Sequence, residues 1–423
     1  MGILAGPRHA DAAATLTVVN LDGAGEGFND PSPRTPVGGN PGTTLGAQRL
    51  FAFQHAANIW GGIIDSGVEI RIGANFDPQF CTATSTILGS AGPVTVVRDF
   101  TNAPATNTWY PVALANKLAG TDFSTNNDVS ATFNSAIGTT CTFPNVWYYG
   151  VDGNPSGSQL DFVTVVLHEI GHGLGFLTLV SLGNGAKFQG RNDTYMLNLE
   201  DHSTGVLYPN MSSAERVTAS TDTGDLHWVG PNVCAASGDL AAGTVGDHVR
   251  MYAPSPAQSG SSVSHYDTAL AYNLPLIPNE LMEPFLTGVI HDVGLTRELM
   301  EDIGWGLPNL TGVWTKTKEG CLAGICRAKG KFIVQNDGLA PSEPTVLRFF
   351  HSANATFDAG DTKIQADLSI GGLAGGETQA FKLKGTTATD GTPLGGFIIG
   401  VIDEDDDEIE QDETDNEIQS GGL

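Results

Sequence analysis

The chain has 423 residues, 40% of them apolar and only 16% charged, with 47 acidic against 20 basic side chains and a formal net charge of -27. That length predicts two or three domains with ample material for packed cores. The acidic balance excludes nucleic acid and anionic membrane surfaces as expected partners, because both would be repelled.

In chain order, residues 1–14 lack the charged start and apolar segment of a complete secretory signal. Ala10-Asp11-Ala12 reads as the small-residue end of one, or as a cloning artefact. Residues 16–21 alternate as a strand; 43–59 carry Leu45, Leu50, Phe53 and Ala57 at helical spacing, stopped by Gly61-Gly62; 68–72 alternate with period two. A short helix over 112–119 closes at Gly120, and strands are expected over 128–134 and 146–149, before a Gly/Ser-rich turn at 153–158. After the segment 160–176, residues 181–263 are rich in Gly, Ser, Asp and Pro and read as a loop-heavy insertion. Order returns over 264–284 and in a helical pattern over 296–303. A composition break around 306–318 predicts a linker at 309–318 between a domain over 15–308 and a second over 319–423. The tail alternates over 330–335, 345–351, 378–383 and 396–402, as a small β-sandwich does. The best apolar run, 397–402, is far shorter than the roughly 20 residues that cross a bilayer. The fold class expected is therefore α+β followed by all-β.

The five cysteines, Cys81, Cys141, Cys234, Cys321 and Cys326, are too scattered for a thiolate metal site. Cys321 with Cys326 is the first expected bridge and Cys81 with Cys141 the second, leaving Cys234; five reduced thiols is the competing reading. Low charge, abundant small polar residues and such bridges favour an exported protein.

Residues 160–176 read LDFVTVVLHEIGHGLGF, with Ser158 as the expected helix cap and Asp161 near the positive end of the helix dipole. At about 100° per residue, Leu160, Val163, Val166, Leu167, Ile170 and Leu174 share one arc. His168 and His172 fall together on the opposite side with Glu169 beside them. Two satisfied core histidines would be the plain explanation. The alternative is the geometry of a catalytic zinc: two nitrogen ligands on a rigid element, and a carboxylate too far round to ligate but able to take a proton from an attacking water. Gly175 would let the chain leave the helix in a left-handed turn, so that a later segment approaches the metal.

His168-Glu169-Ile170-Gly171-His172-Gly173-Leu174-Gly175 resembles the metzincin signature HExxHxxGxxH, except that Thr178 stands at the third histidine. Leishmanolysin-like metzincins share the departure: an insertion delays the third histidine to a Ser-His-aromatic motif shortly before a Leu-Met-x-Pro turn. Ser264-His265-Tyr266-Asp267 and Leu281-Met282-Glu283-Pro284 match that pattern. The resemblance covers about 160–284. It implies a twisted mixed sheet with an active-site helix, one catalytic zinc on His168, His172 and His265, Glu169 as general base, Met282 in the turn beneath the metal, and a polypeptide substrate. Such a substrate would lie along an edge strand, with 128–134 or 146–149 as candidates. Met282 alone would be a core methionine, and Tyr266 either an oxyanion stabiliser or a packed ring. Among competing ligands, His202, His227, His248 and His291 read as loop or surface histidines. Glu298-Leu299-Met300-Glu301-Asp302 has the ExxxD spacing of thermolysin-like enzymes, but that class does not need the Gly175 turn.

Residues 331–416 resemble the bacterial CARDB domain, an immunoglobulin-like sandwich, through Phe332-Ile333-Val334-Gln335-Asn336-Asp337-Gly338, Phe349-Phe350-His351-Ser352 and the closing Ile402-Asp403 to Glu413-Thr414-Asp415-Asn416. This implies an accessory binding or spacer role at a cell surface or extracellular matrix, in a bacterial exported protein. The eleven acidic residues over 403–417 read as a solvated, self-repelling turn; calcium is the alternative, without a D-x-D-x-D-G loop to carry it. The function expected is a secreted zinc-dependent endopeptidase. A surface adhesin with an inert metzincin-like domain is the competing function, against which the intact Glu169 argues; hydrolysis of a non-peptide bond has no residue in its favour.

Overall fold

The computed structural model describes residues 14–101, 103–273, 279–306, 308–322, 325–338, 342, 344–373, 375–388, 396–405, 408, 410 and 413–421, without the side chains of 321, 322, 325 and 386–388. The stretch Ala10-Asp11-Ala12 lies outside the described residues. Among those described, no helix is long and apolar enough to cross a membrane. The chain divides between Gly304 and Trp305 into two compact units.

The first unit opens with strand β1 (Leu16–Asn20), helix α1 (Leu45–Gly61), β2 (Ile70–Asp77), β3 (Gly89–Pro93), helix α2 (Val112–Ala119) and β4 (Val129–Asn134). The sheet runs β1-β2-β4-β3, with β1, β2 and β4 parallel and β3 antiparallel at the edge. Parallel neighbours need a crossover, which α1 supplies, capped by the Thr44 side chain accepting from the Ala47 amide. Of the two strands expected to carry substrate, 128–134 is thus an inner strand, and the edge on its side belongs to β3. Its sequence, Gly-Ser-Ala-Gly-Pro, has no large side chains to alternate, which is why periodicity missed it.

Strand β5 (Val146–Tyr148) pairs in parallel with β6 (Gln159–Asp161), which leads directly into helix α3 (Phe162–Leu174). Leu160 therefore lies in a strand, and the cap is Asp161 rather than Ser158: the Asp161 carboxylate accepts from the Thr164 amide at 2.8 Å. An aspartate one residue before the first helical turn satisfies an orphan N–H directly, which a serine three residues further out cannot. Phe162 anchors the helix start among Phe133, Trp147 and Tyr149, with ring centroids 5.1–5.4 Å away. Trp60 of α1 donates to the Leu167 carbonyl at 2.9 Å.

Two glycines let α3 lie this close to its neighbours. A Cβ on Gly173 would stand 2.3 Å from Val129 Cγ1, and one on Gly171 would stand 2.8 Å from Met282 Sδ. Val129 is fully buried on an inner strand and cannot yield. Gly173→Ala is therefore expected to destabilise the first unit by about 1–3 kcal/mol through overpacking, despite alanine's better helix propensity. Denaturant unfolding reads this, and a more stable variant would contradict the packing. Gly175 has φ +131 and closes the helix, so the expected turn is present.

The region read as loop-heavy holds a sheet of very short strands: β7 (Leu199–Asp201), β8 (Val206–Leu207), β9 (Leu226–Trp228), β10 (Thr244–Val245) and β11 (His248–Arg250), in the order β8-β7-β9-β11-β10. Two or three residues are too few for an alternating pattern to register. Fully buried Tyr195, Tyr208, Trp228 and Val249 give this region a packed interior. The first unit ends near helix α4 (Thr296–Met300).

The second unit comprises β12 (Leu310–Leu322), β13 (Ile325–Asn336), β14 (Thr345–Ser352), β15 (Thr362–Lys363), β16 (Leu368–Ile370), β17 (Thr378–Ala388), β18 (Phe397–Ile402) and β19 (Glu417–Gln419). One antiparallel sheet runs β12-β13-β17 and another β15-β14-β18-β19, with β16 also on β14. Phe332, Val334, Phe381 and Leu383 of the first meet Leu347, Phe349, Ile398 and Ile402 of the second in one core, a β-sandwich. The expected linker 309–318 is instead most of β12. It pairs with β13 along its length, with a bulge at Thr315, and Trp314 donates to the Ile418 carbonyl at 2.9 Å. Its polar, Lys- and Thr-rich composition belongs to a strand with one wet face.

The acidic run falls partly outside the described residues, at 406, 407, 409, 411 and 412. Three of its members are buried rather than solvated: Asp403, Glu408 and Glu410. Asp403 accepts from the Thr345 hydroxyl and the Glu408 amide, while Glu410 accepts from the Leu310 amide and is pushed up to about 8 by burial. Cys81 and Cys141 are bonded across 60 residues. The Cys321 side chain lies outside the described residues; its backbone faces Cys326, which is itself disulfide-bonded. Cys234 remains a thiol, pushed up to about 11 by burial.

Candidate metal centre

Helix α3 presents His168 and His172 one turn apart. His265 reaches them from a segment tied down on both sides: Tyr252 donates to the His265 carbonyl at 2.9 Å, and Tyr266 donates to the Met282 carbonyl at 2.9 Å. The three Nε2 atoms converge, 3.1 Å apart for His168 and His172 and 3.2 Å for each to His265. Every Nδ1 meets a backbone carbonyl at 2.8 Å: His168 the Leu281 oxygen, His172 the Phe176 oxygen, His265 the Ser261 oxygen. A carbonyl only accepts, so each Nδ1 carries the proton and each Nε2 is a bare lone pair. The close nitrogen pairs are therefore not hydrogen bonds in the neutral state. They are three lone pairs aimed at one point with no proton to share.

Burial keeps the rings neutral. It pushes His168 and His265 below the ordinary histidine value, and His172 down to about 3, with the neighbouring His168 adding to the effect. Tetrahedral ligands at 2.0–2.1 Å from a zinc ion would be separated by about 3.3–3.4 Å, close to the spacing seen. The donor set fits a small divalent cation with room for a fourth ligand, and the backbone carbonyls fix the rings as outer partners of metal-bound histidines do.

Glu169 stands outside this group of donors. Its carboxyl is buried against β3, bonded to the Ala91 amide, and pushed up to about 8 by burial. Gly89 makes room for it: a Cβ there would stand 3.0 Å from the Glu169 side chain. Met282 is fully buried beneath Gly171, and the Leu281 carbonyl of the same turn orients His168. Tyr266 is fully buried, packs on Phe176 and donates to the Leu295 carbonyl at 2.9 Å, so it is a packed ring.

His291, read as a loop or surface histidine, lies in a loop with its ring 2.8 Å from the Asp161 carboxylate, and steadies the start of α3. Glu298 on α4 belongs to neither donor cluster found among the described residues. His202, His227 and His248, also expected as loop or surface residues, gather into a second donor cluster. They sit on or beside β7, β9 and β11, whose pairing no sequence pattern announces.

No family model matches the chain, and no curated protein matches it. Among solved structures, 27% of the chain is similar, at 18% identity and a TM-score of 0.20, to 84% of the CARDB domain of a Pyrococcus furiosus protein solved in complex with di-metal ions.

Proposed function

We propose that the chain is a secreted zinc-dependent endopeptidase of the metzincin type, leishmanolysin-like, carrying an immunoglobulin-like, CARDB-type accessory domain. The observation that supports it most is the convergence of three unprotonated Nε2 atoms within 3.1–3.2 Å. His168, His172 and His265 would hold the ion; three imidazoles suit zinc. When bound, zinc supplies Lewis acidity, making water a better nucleophile and polarising the scissile carbonyl.

Glu169 is the general base: its carboxylate takes the proton as water attacks and passes it to the departing amine nitrogen. In the metal-free protein burial favours the protonated carboxyl; a divalent cation held beside it by His168 and His172 would favour the carboxylate that a base needs. The edge strand β3 lies beside Glu169, so a substrate chain pairing with that edge in extended form would run past the base. The Cys81–Cys141 bridge supports an oxidising, extracellular setting.

Incubating the pure full-length protein with a denatured polypeptide is expected to give cleavage that a chelator abolishes and added zinc restores. Zinc-loaded protein that leaves the polypeptide intact would overturn the peptidase reading in favour of an inert binding domain.

A further inference from the structure

The second histidine cluster stands apart from the first centre in the elements that build it. His227 sits on β9, paired across the sheet with Glu200 of β7 and Arg250 of β11. His202 follows β7 and His248 opens β11. One nitrogen from each histidine lies within 4.8 Å of the others. The His202 and His227 rings stack with centroids 4.4 Å apart, and the His248 ring stands edge-on at 5.4 Å from His202. Glu200 adds a carboxylate oxygen 3.3 Å from His202 Nδ1 and 3.2 Å from His248 Nδ1.

Buried polar atoms decide between a hydrogen-bonded histidine knot and an ion site. His227 is fully buried. Its Nε2 lies 3.1 Å from the Gly224 carbonyl and so carries the ring proton. Its Nδ1 is left as a buried lone pair with no hydrogen-bond partner. Stacked as it is on His202, it cannot accept an in-plane N–H from that ring. His248 Nδ1 is likewise buried without a hydrogen bond, Glu200 being near but off the bonding direction. A satisfied core histidine pairs both nitrogens, since an orphaned one costs stability.

We propose that His202, His227 and His248, with Glu200 beside them, form a second metal site for a divalent transition-metal cation of zinc type. Three imidazoles suit such an ion, and the Glu200 carboxylate, 3.3 Å from His202 Nδ1, orients that ring from outside the donor group. His202 and His248 keep side-chain exposures of 31% and 28%, which gives the ion a way in. The ion clamps strands of two or three residues that have few ladder bonds of their own. It also has a mechanical link to the first centre: β11 continues into Met251 and Tyr252, whose backbone pairs with Tyr266 and His265. The site does not depend on the first centre being a peptidase.

Zinc titration of stripped, untagged, full-length protein tests it, with bound metal counted by mass spectrometry. The wild type is expected to hold two equivalents at roughly 1 μM or tighter. His202→Ala, His248→Ala and His168→Ala should each hold one, and His168→Ala combined with His248→Ala none. A wild type that binds a single equivalent, lost in His168→Ala but kept in His202→Ala and His248→Ala, overturns the proposal. So does a second equivalent that survives both His202→Ala and His248→Ala.

Discussion

Glu169→Gln is expected to keep a full complement of zinc and to lose roughly a thousandfold in kcat on a denatured polypeptide, within the range for removal of a general base. The amide has the shape of the carboxyl and can still accept from the Ala91 amide, so neither α3 nor the three histidines need move. Stability argues the same way. In the metal-free protein the Glu169 carboxyl is pushed up to about 8 from 4.5, so between those values the folded chain holds a proton the unfolded chain has released. Stability from this group is therefore lost as pH rises through that window, and glutamine removes the dependence. The metal-free variant should then be at least as stable as the parent at pH 8. Kinetics and metal content measured on one preparation separate the outcomes. Undiminished cleavage would remove Glu169 from the reaction, and simultaneous loss of zinc would place it among the ligands.

What the sequence revealed of the site follows from where its information was local. His168, Glu169 and His172 share one helix, and the amphipathic arc of 162–174 fixes which way they face. Even there the start was misplaced, because a cap depends on one hydrogen bond, from Thr164 to Asp161, and not on a pattern. His265 lies 93 residues beyond His172, and nothing in its own spacing marks it; only its motif and the Met282 turn pointed there. The second cluster was not legible at all. His202, His227 and His248 are 25 and 21 positions apart and meet only through the registers β7-β9 and β9-β11.

The fold shows the same division. Strands with large alternating side chains were readable in part, as with β2, expected over 68–72 and running Ile70–Asp77, whereas β3 is small residues and glycine. Composition misled where it was taken for structure: a Lys- and Thr-rich linker proved to be β12, and acidic residues expected in water, Asp403 and Glu410, hold buried backbone and side-chain donors. Charge count says how many groups need solvation or partners, not which of the two each one finds.

His265→Ala should have the other large effect, removing one equivalent of zinc and reducing peptidase activity to background. Two imidazoles are too few protein ligands for a catalytic zinc, and no other described residue joins the first cluster. Folding should survive, since the backbone bonds from Tyr252 to His265 and from Tyr266 to Met282 do not involve the ring. Losing the ring also relieves the facing lone pairs that metal-free protein must tolerate. Metal-free variant and metal-free wild type should therefore melt at similar temperatures. Saturating zinc then stabilises the wild type by about 4 kcal/mol more at its first centre, the linkage expected for a ligand at a thousand times its dissociation constant, and the variant lacks that increment. A calorimetric scan with and without zinc measures the difference. If His265→Ala keeps both the increment and the activity, the third donor lies elsewhere, and the leishmanolysin-like ligand set is wrong even where the helix motif is right.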